Sequence, residues 1–199
     1  MLFAVKNRLA PTLLLMAALA AGSLLLRRAL ALHGDLGLSP MLPLWVAGAL
    51  ACLLASDGSL HGLLWLGLGR RYLERYGALA EYFRTQGPPQ ILAGGLLAGL
   101  GEELFFRGVV LAGLWRVAGW PPVAAVVAAA LLFALGHWLP DRKLSPFAVW
   151  AGLQGLWIGG LYVVTGSLAA CMVTHALHDI LGFTLFAVQR RTGWGLPKA

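Results

Sequence analysis

Long apolar runs, each closed by a short polar or Gly/Pro-rich stretch, set the pattern of this chain. Six runs approach the roughly 20 residues that a membrane helix needs. They extend from about Leu9 to Leu26, Leu36 to Ser56, Gln90 to Val117, Val123 to Leu139, Pro146 to Val164, and Leu168 to Val188. The breaks between them carry recognisable stop and turn chemistry: Arg27-Arg28, Asp57-Gly58-Ser59, Pro88-Pro89, Pro121-Pro122, Asp141-Arg142-Lys143 and Thr165-Gly166-Ser167. Leu60–Gly69 is apolar but too short to cross a bilayer. It leads into Arg70–Arg84, whose mixture of Arg, Glu, Tyr and Phe suits a helix lying at the membrane interface. The expected fold is all-α: a polytopic membrane helical bundle of about six transmembrane helices plus an interfacial helix. It forms one membrane domain overall, with the first spans and the interfacial helix in residues 1–88 and a polar-motif core in 89–199.

Composition agrees. Of 199 residues, 59% are hydrophobic and 12% charged, against about 25% charged in a soluble domain. Mean hydropathy is +0.78. The net charge of +7 does not indicate nucleic acid, because the basic residues fall between apolar runs rather than in one patch. They read as topology signals. With six spans, one side collects Lys6, Arg8, Arg70, Arg71, Arg75, Arg84, Arg142, Lys143, Arg190, Arg191 and Lys198. The other collects Arg27, Arg28 and Arg116. The bias predicts a plasma-membrane protein with both termini cytoplasmic. Lys6 and Arg8 ahead of Leu13–Leu26 resemble a signal peptide, and the continuing apolar run favours an uncleaved anchor. Cys52 and Cys171 lie in apolar runs and read as small hydrophobes.

Candidate chemistry is confined to three runs. The third holds Gly101-Glu102-Glu103-Leu104-Phe105-Phe106-Arg107-Gly108, the fourth Phe133-x-x-x-His137, and the sixth His175-Ala176-Leu177-His178-Asp179. A charge at the centre of a membrane helix is unfavourable by roughly 2.5–3.5 kcal/mol on insertion scales, so intramembrane ionisable groups mark function by default. Glu103 and Arg107, one helical turn apart, can form a buried ion pair, which leaves Glu102 without a partner in its own segment. Glu102 is rotated by about 100° from Glu103, so the two carboxylates have different tasks. His175 and Asp179 share a face, and His178 lies about 60° away from His175. The first two spans are expected to hold no acidic residue or histidine.

The succession E-E-x-x-x-R, F-x-x-x-H and H-x-x-x-D, each on its own apolar helix, resembles the CPBP family, which includes the CAAX-processing type II (Rce1-like) prenyl endopeptidases and the bacterial Abi proteins. Gly101, Phe106, Gly108 and Thr165-Gly166-Ser167-Leu168 add to the likeness, which covers about Pro89–Phe186. The resemblance implies a glutamic-type intramembrane endopeptidase. Glu102 would be the general base that activates water, assisted by His137. His175 and Asp179 would stabilise the oxyanion. Glu103 and Arg107, with Phe133 and His178, would shape the site. The family often has Asn at the last motif position. Asp179 would donate to an oxyanion only when protonated, or would instead orient His175 or His178. The implied substrate is a membrane-embedded or lipidated protein cut near its C-terminus, as in myxosortase-type members. No cofactor is implied; the minority alternative is zinc on Glu102, His137 and His175. Two other functional classes remain: a non-catalytic binding or immunity protein of the same fold, and a proton- or ion-coupled transporter. The transporter reading lacks the inverted repeat such proteins show.

Overall fold

The computed structural model describes residues 9–32, 36–68, 74, 86–138 and 145–192, and every regular element among them is helical. In chain order these are α1 (Leu9–Ala29), α2 (Leu42–Leu68), α3 (Pro88–Phe105), α4 (Pro122–Trp138), α5 (Ser145–Thr165) and α6 (Leu168–Thr192). The third is prolonged by π-helical turns over Phe106–Leu111 and Gly113–Val117. Among the described residues, three stretches are long and apolar enough to cross a membrane alone: Leu42–Gly67, Phe147–Thr165 and Leu168–Val188. Pro122–Trp138 is a shorter apolar helix. Large apolar side chains stand outward, Val164 at 85% exposed and Leu66 and Val123 each at 75%. Lipid tails are as apolar as these groups, so an outward Leu or Val is no liability in a bilayer. The chain is a membrane helical bundle.

Five of the six expected spans coincide with helices to within a few residues, and the second differs. Asp57-Gly58-Ser59 is not a turn, because α2 runs through it for 27 residues. The triplet has turn-forming side chains, but each polar group is satisfied with the helix intact. Ser59 Oγ donates to the Ala55 carbonyl at 2.9 Å, and Asp57 finds its partner on another helix. Leu60–Gly69 is therefore not a separate short segment: up to Leu68 it is the last third of α2, which begins at Leu42 rather than Leu36. At about 1.5 Å per residue α2 is about 40 Å long. The expectation that the first two spans lack acidic residues and histidines fails with the turn, since Asp57 and His61 both lie on α2. The interfacial helix expected over Arg70–Arg84, Glu74 excepted, and the loop Asp141-Arg142-Lys143 lie outside the described residues.

The packing order places the motifs. Helix α3 lies against α6 and α1, α4 against α5, and α2 against α5 and α6. Small residues let α3 approach its neighbours at backbone distance. A Cβ on Gly99 would stand 2.8 Å from both the amide nitrogen of Ala176 and the carbonyl oxygen of Met172, and one on Gly101 would stand 2.8 Å from the Met16 carbonyl oxygen of α1. Gly99 thus brings α3 onto α6 one turn below Glu102 and Glu103, beside the turn that carries His175. The start of α6 is set by Thr165-Gly166-Ser167, a turn as expected. Gly166 takes φ +64°, and Ser167 Oγ caps the helix by accepting from the Ala170 amide at 3.1 Å. A buried apolar cluster that includes Leu104, Leu111, Ala129, Ile158, Tyr162, Leu168 and Cys171 fills the centre of the bundle.

This contact yields a first prediction. Gly99→Ala should destabilise the bundle by about 1–3 kcal/mol, the usual effect of overpacking. Gly94→Ala, at a position with nothing within 4 Å, should leave stability unchanged or raise it slightly. Thermal unfolding in detergent micelles measures both.

Candidate active site

Glu103 is the centre of the buried polar network. One of its oxygens, Oε1, accepts from Arg107 Nη1 at 2.7 Å and from His175 Nδ1 at 2.6 Å. Glu103, Arg107 and His175 are each at most 1% exposed. The i,i+4 pairing expected from the sequence therefore exists, and a second helix joins it. Arg107 also donates through Nη2 to the Gly155 carbonyl of α5 at 3.3 Å, and its guanidinium stands 5.0 Å from the centre of the Phe133 ring. The three helices α3, α5 and α6 are thereby tied at one level. Phe133 packs edge-on against His137 and His175, with ring centroids at 4.5 and 5.9 Å. The Phe of F-x-x-x-H thus packs against both imidazoles.

Glu102, one position earlier, turns the other way. Its Oε2 lies 4.0 Å from His137 Nε2 and 3.8 Å from His175 Nε2, ion-pair range without a direct hydrogen bond. His137 Nδ1 is 2.8 Å from the Phe133 carbonyl. A carbonyl only accepts, so Nδ1 carries the proton and Nε2 is left facing Glu102. His175 Nε2 faces Glu102 and also Asp179 Oδ2, at 3.4 Å. The site has a sealed side and an open one. The side chains of Glu103 and His175 are 0% and 2% exposed. Those of Glu102, His137 and Asp179 are 8%, 15% and 16% exposed.

All the residues singled out in the sequence meet here: Glu102, Glu103 and Arg107 from α3, Phe133 and His137 from α4, and His175, His178 and Asp179 from α6. His178 is turned partly away from the others, as its angle on the helix requires. Its Nε2 donates to Asp57 Oδ2 at 2.6 Å, and its Nδ1 stands 3.6 Å from Asp179 Oδ1. Asp57 was missed because its Asp-Gly-Ser context reads as a turn. The signal that could have found it is a lone acidic residue inside the apolar stretch 42–68. Arg27 has a structural contact that its place at the end of an apolar run does not announce: it is buried and donates to the Gly108 carbonyl at 2.6 Å and the Leu32 carbonyl at 3.1 Å. Its target is the π-helical part of α3, and π-turns of this kind are frequent at functional sites. For the zinc alternative, no group of three His, Cys, Asp or Glu among the described residues is arranged to hold a metal ion.

Residues 84–181 match the family model of the type II CAAX prenyl endopeptidases, Rce1-like. The match begins ahead of α3 and ends just past Asp179, so it takes in all three motifs. No curated protein and no solved structure matches the chain.

Removing one member of a buried charge pair leaves the other uncompensated, which destabilises by about 3–5 kcal/mol. Arg107→Leu should lose that much in thermal unfolding. Adding Glu103→Gln to it should restore part of the loss, because the stranded carboxylate is gone.

Proposed function

From the membership of residues 84–181 in the Rce1-like type II CAAX prenyl endopeptidase family, a family of intramembrane proteases, we propose that this chain cleaves a membrane-associated protein or peptide near its C-terminal region by a glutamic-type mechanism. The observation that carries this reading is the division of labour between adjacent carboxylates. Glu103 is sealed and paired, whereas Glu102 keeps its oxygen unbonded on the open side between two histidines.

In the proposed reaction Glu102 takes a proton from a water molecule held between its Oε2 and His137 Nε2. With Nδ1 committed to the Phe133 carbonyl, His137 presents a lone pair to that water and orients it. The resulting hydroxide adds to the scissile carbonyl carbon. The oxyanion receives a hydrogen bond from Nε2–H of His175, which is protonated on both nitrogens in this step, with Nδ1–H held by Glu103. A donor aimed at a developing oxyanion is worth roughly 2.7–4 kcal/mol. Collapse of the tetrahedral intermediate breaks the C–N bond, and Glu102 returns its proton to the leaving amine. Asp179, 3.4 Å from His175 Nε2, keeps that ring aligned or donates when it is itself protonated. Arg107 and Phe133 hold Glu103 and the imidazoles in place. The substrate enters from the bilayer as a membrane-embedded or lipidated protein. The protein sits in the plasma membrane with both termini cytoplasmic. With Arg27 buried, only Arg28 and Arg116 count against the basic residues of the cytoplasmic side.

The test is a cleavage assay in membranes with mass-spectrometric detection of products. Glu102→Gln and His175→Ala should each lower the rate by about 10²–10⁴-fold, the range for loss of an acid–base group or an oxyanion donor. Chelator should have no effect. Abolition by chelator would instead establish the zinc site. Processing of every membrane protein at the wild-type rate in both variants would remove the protease reading.

A further inference from the structure

The family match begins at residue 84, yet the carboxylate of Asp57, from the preceding half of the chain, reaches a histidine of the site. We infer that Asp57 of α2 is a positioning residue of the active site, acting on Asp179 and His175 through the His178 ring. This rests on the protease reading above.

The geometry is continuous. Asp57 Oδ2 accepts from His178 Nε2 at 2.6 Å, the one hydrogen bond of that ring among the described residues. His178 Nδ1 is buried without a hydrogen bond and faces Asp179 Oδ1 at 3.6 Å. The other oxygen of Asp179 faces His175 Nε2 at 3.4 Å. A carboxylate accepts only, so Asp57 keeps a proton on Nε2 and fixes the plane of the ring. The opposite edge of the ring is thereby presented to Asp179. Among the described residues Asp57 makes the one hydrogen bond to the His178 ring, so its loss frees the ring to rotate and unsettles the neighbour that Asp179 has on the side away from His175.

Helix α2 is itself held at this level. Ser56, the neighbour of Asp57, accepts from Trp157 Nε1 of α5 at 3.0 Å. The His61 ring lies nearly parallel to that of Trp150, also on α5, at 6.4 Å. Asp57 is thus delivered by a docked helix. Its side chain is 30% exposed, against 14% for His178 and 16% for Asp179, so the line of groups runs inward from a more open position to the sealed pair of Glu103 and Arg107.

The experiment is steady-state kinetics on the full chain in vesicles, with Glu102→Gln as the inactive control. Asp57→Ala should lower kcat by about 10–100-fold, as for partners that orient metal-bound imidazoles, with KM little changed. Asp57→Asn, whose amide oxygen still accepts from Nε2–H, should recover most of the rate. In a His178→Ala background, Asp57→Ala should add no further loss, since coupled residues are non-additive. Equal activity of Asp57→Ala and wild type overturns the inference, as does independent additivity with His178→Ala or an Asp57→Asn as impaired as Asp57→Ala. Nitrogen NMR of the wild-type His178 ring needs no variant to fold: protonated Nε2 supports the inference, and unprotonated Nε2 overturns it. A wild type no more active than Glu102→Gln overturns both this inference and the protease reading. A dead Glu102→Gln beside an unaffected Asp57→Ala overturns this one alone.

Discussion

A carboxylate that is fully removed from solvent inside an apolar bundle must be given hydrogen-bond donors, and this requirement organises the protein around Glu103. Its Oε1 draws a guanidinium from its own helix and an imidazole from α6 to 2.7 and 2.6 Å. The same guanidinium reaches back to a carbonyl of α5. Three helices are joined at one height by a single set of charge-assisted hydrogen bonds, which are shorter and stronger than neutral ones. Glu102 is left over by this arrangement. It is carried on the same turn of α3 but rotated out of the pair, so its Oε2 faces two histidines without a direct hydrogen bond.

That network forms only because the helices come close. Gly99 removes the side chain that would hold α3 away from the backbone of α6, and Gly101 does the same toward α1. Beyond Glu102 and Glu103 the α-helical ladder of α3 gives way to π-helical turns, and the buried Arg27 of α1 donates to a carbonyl inside them. Helix α1 carries none of the three polar motifs, yet it secures the backbone at Gly108, one residue from Arg107. The first two helices are thus structurally joined to the motif-bearing half.

Much of the site is legible in the sequence. The i,i+4 spacing of Glu103 and Arg107 and of His175 and Asp179 follows from helical periodicity, and the apolar surroundings make each ionisable group conspicuous. The angular offset of Glu102 from Glu103 anticipates their different surroundings, and that of His178 anticipates its turning aside. The Asp57 contact was not legible. Local propensity marks Asp-Gly-Ser as a turn, and only a partner on a distant helix makes a continuous α2 the better solution. The Arg27 contact was not legible either, since a basic residue at the end of an apolar run shows no local sign of a partner on another helix.

The sequence by itself determined a bundle of apolar helices, which of them carry ionisable groups, and which of those groups share a face on one helix. These are consequences of hydropathy and of a fixed helical repeat, both local in the chain. The tertiary structure alone decided which helices touch: that Glu103 bonds His175, that the Phe133 carbonyl leaves His137 Nε2 facing Glu102, and that α2 supplies Asp57 to His178. Contacts between helices depend on rotation, tilt and depth. Those are fixed by small residues at the crossings and by the need to give buried charged groups their partners, and neither has a signature within a single segment.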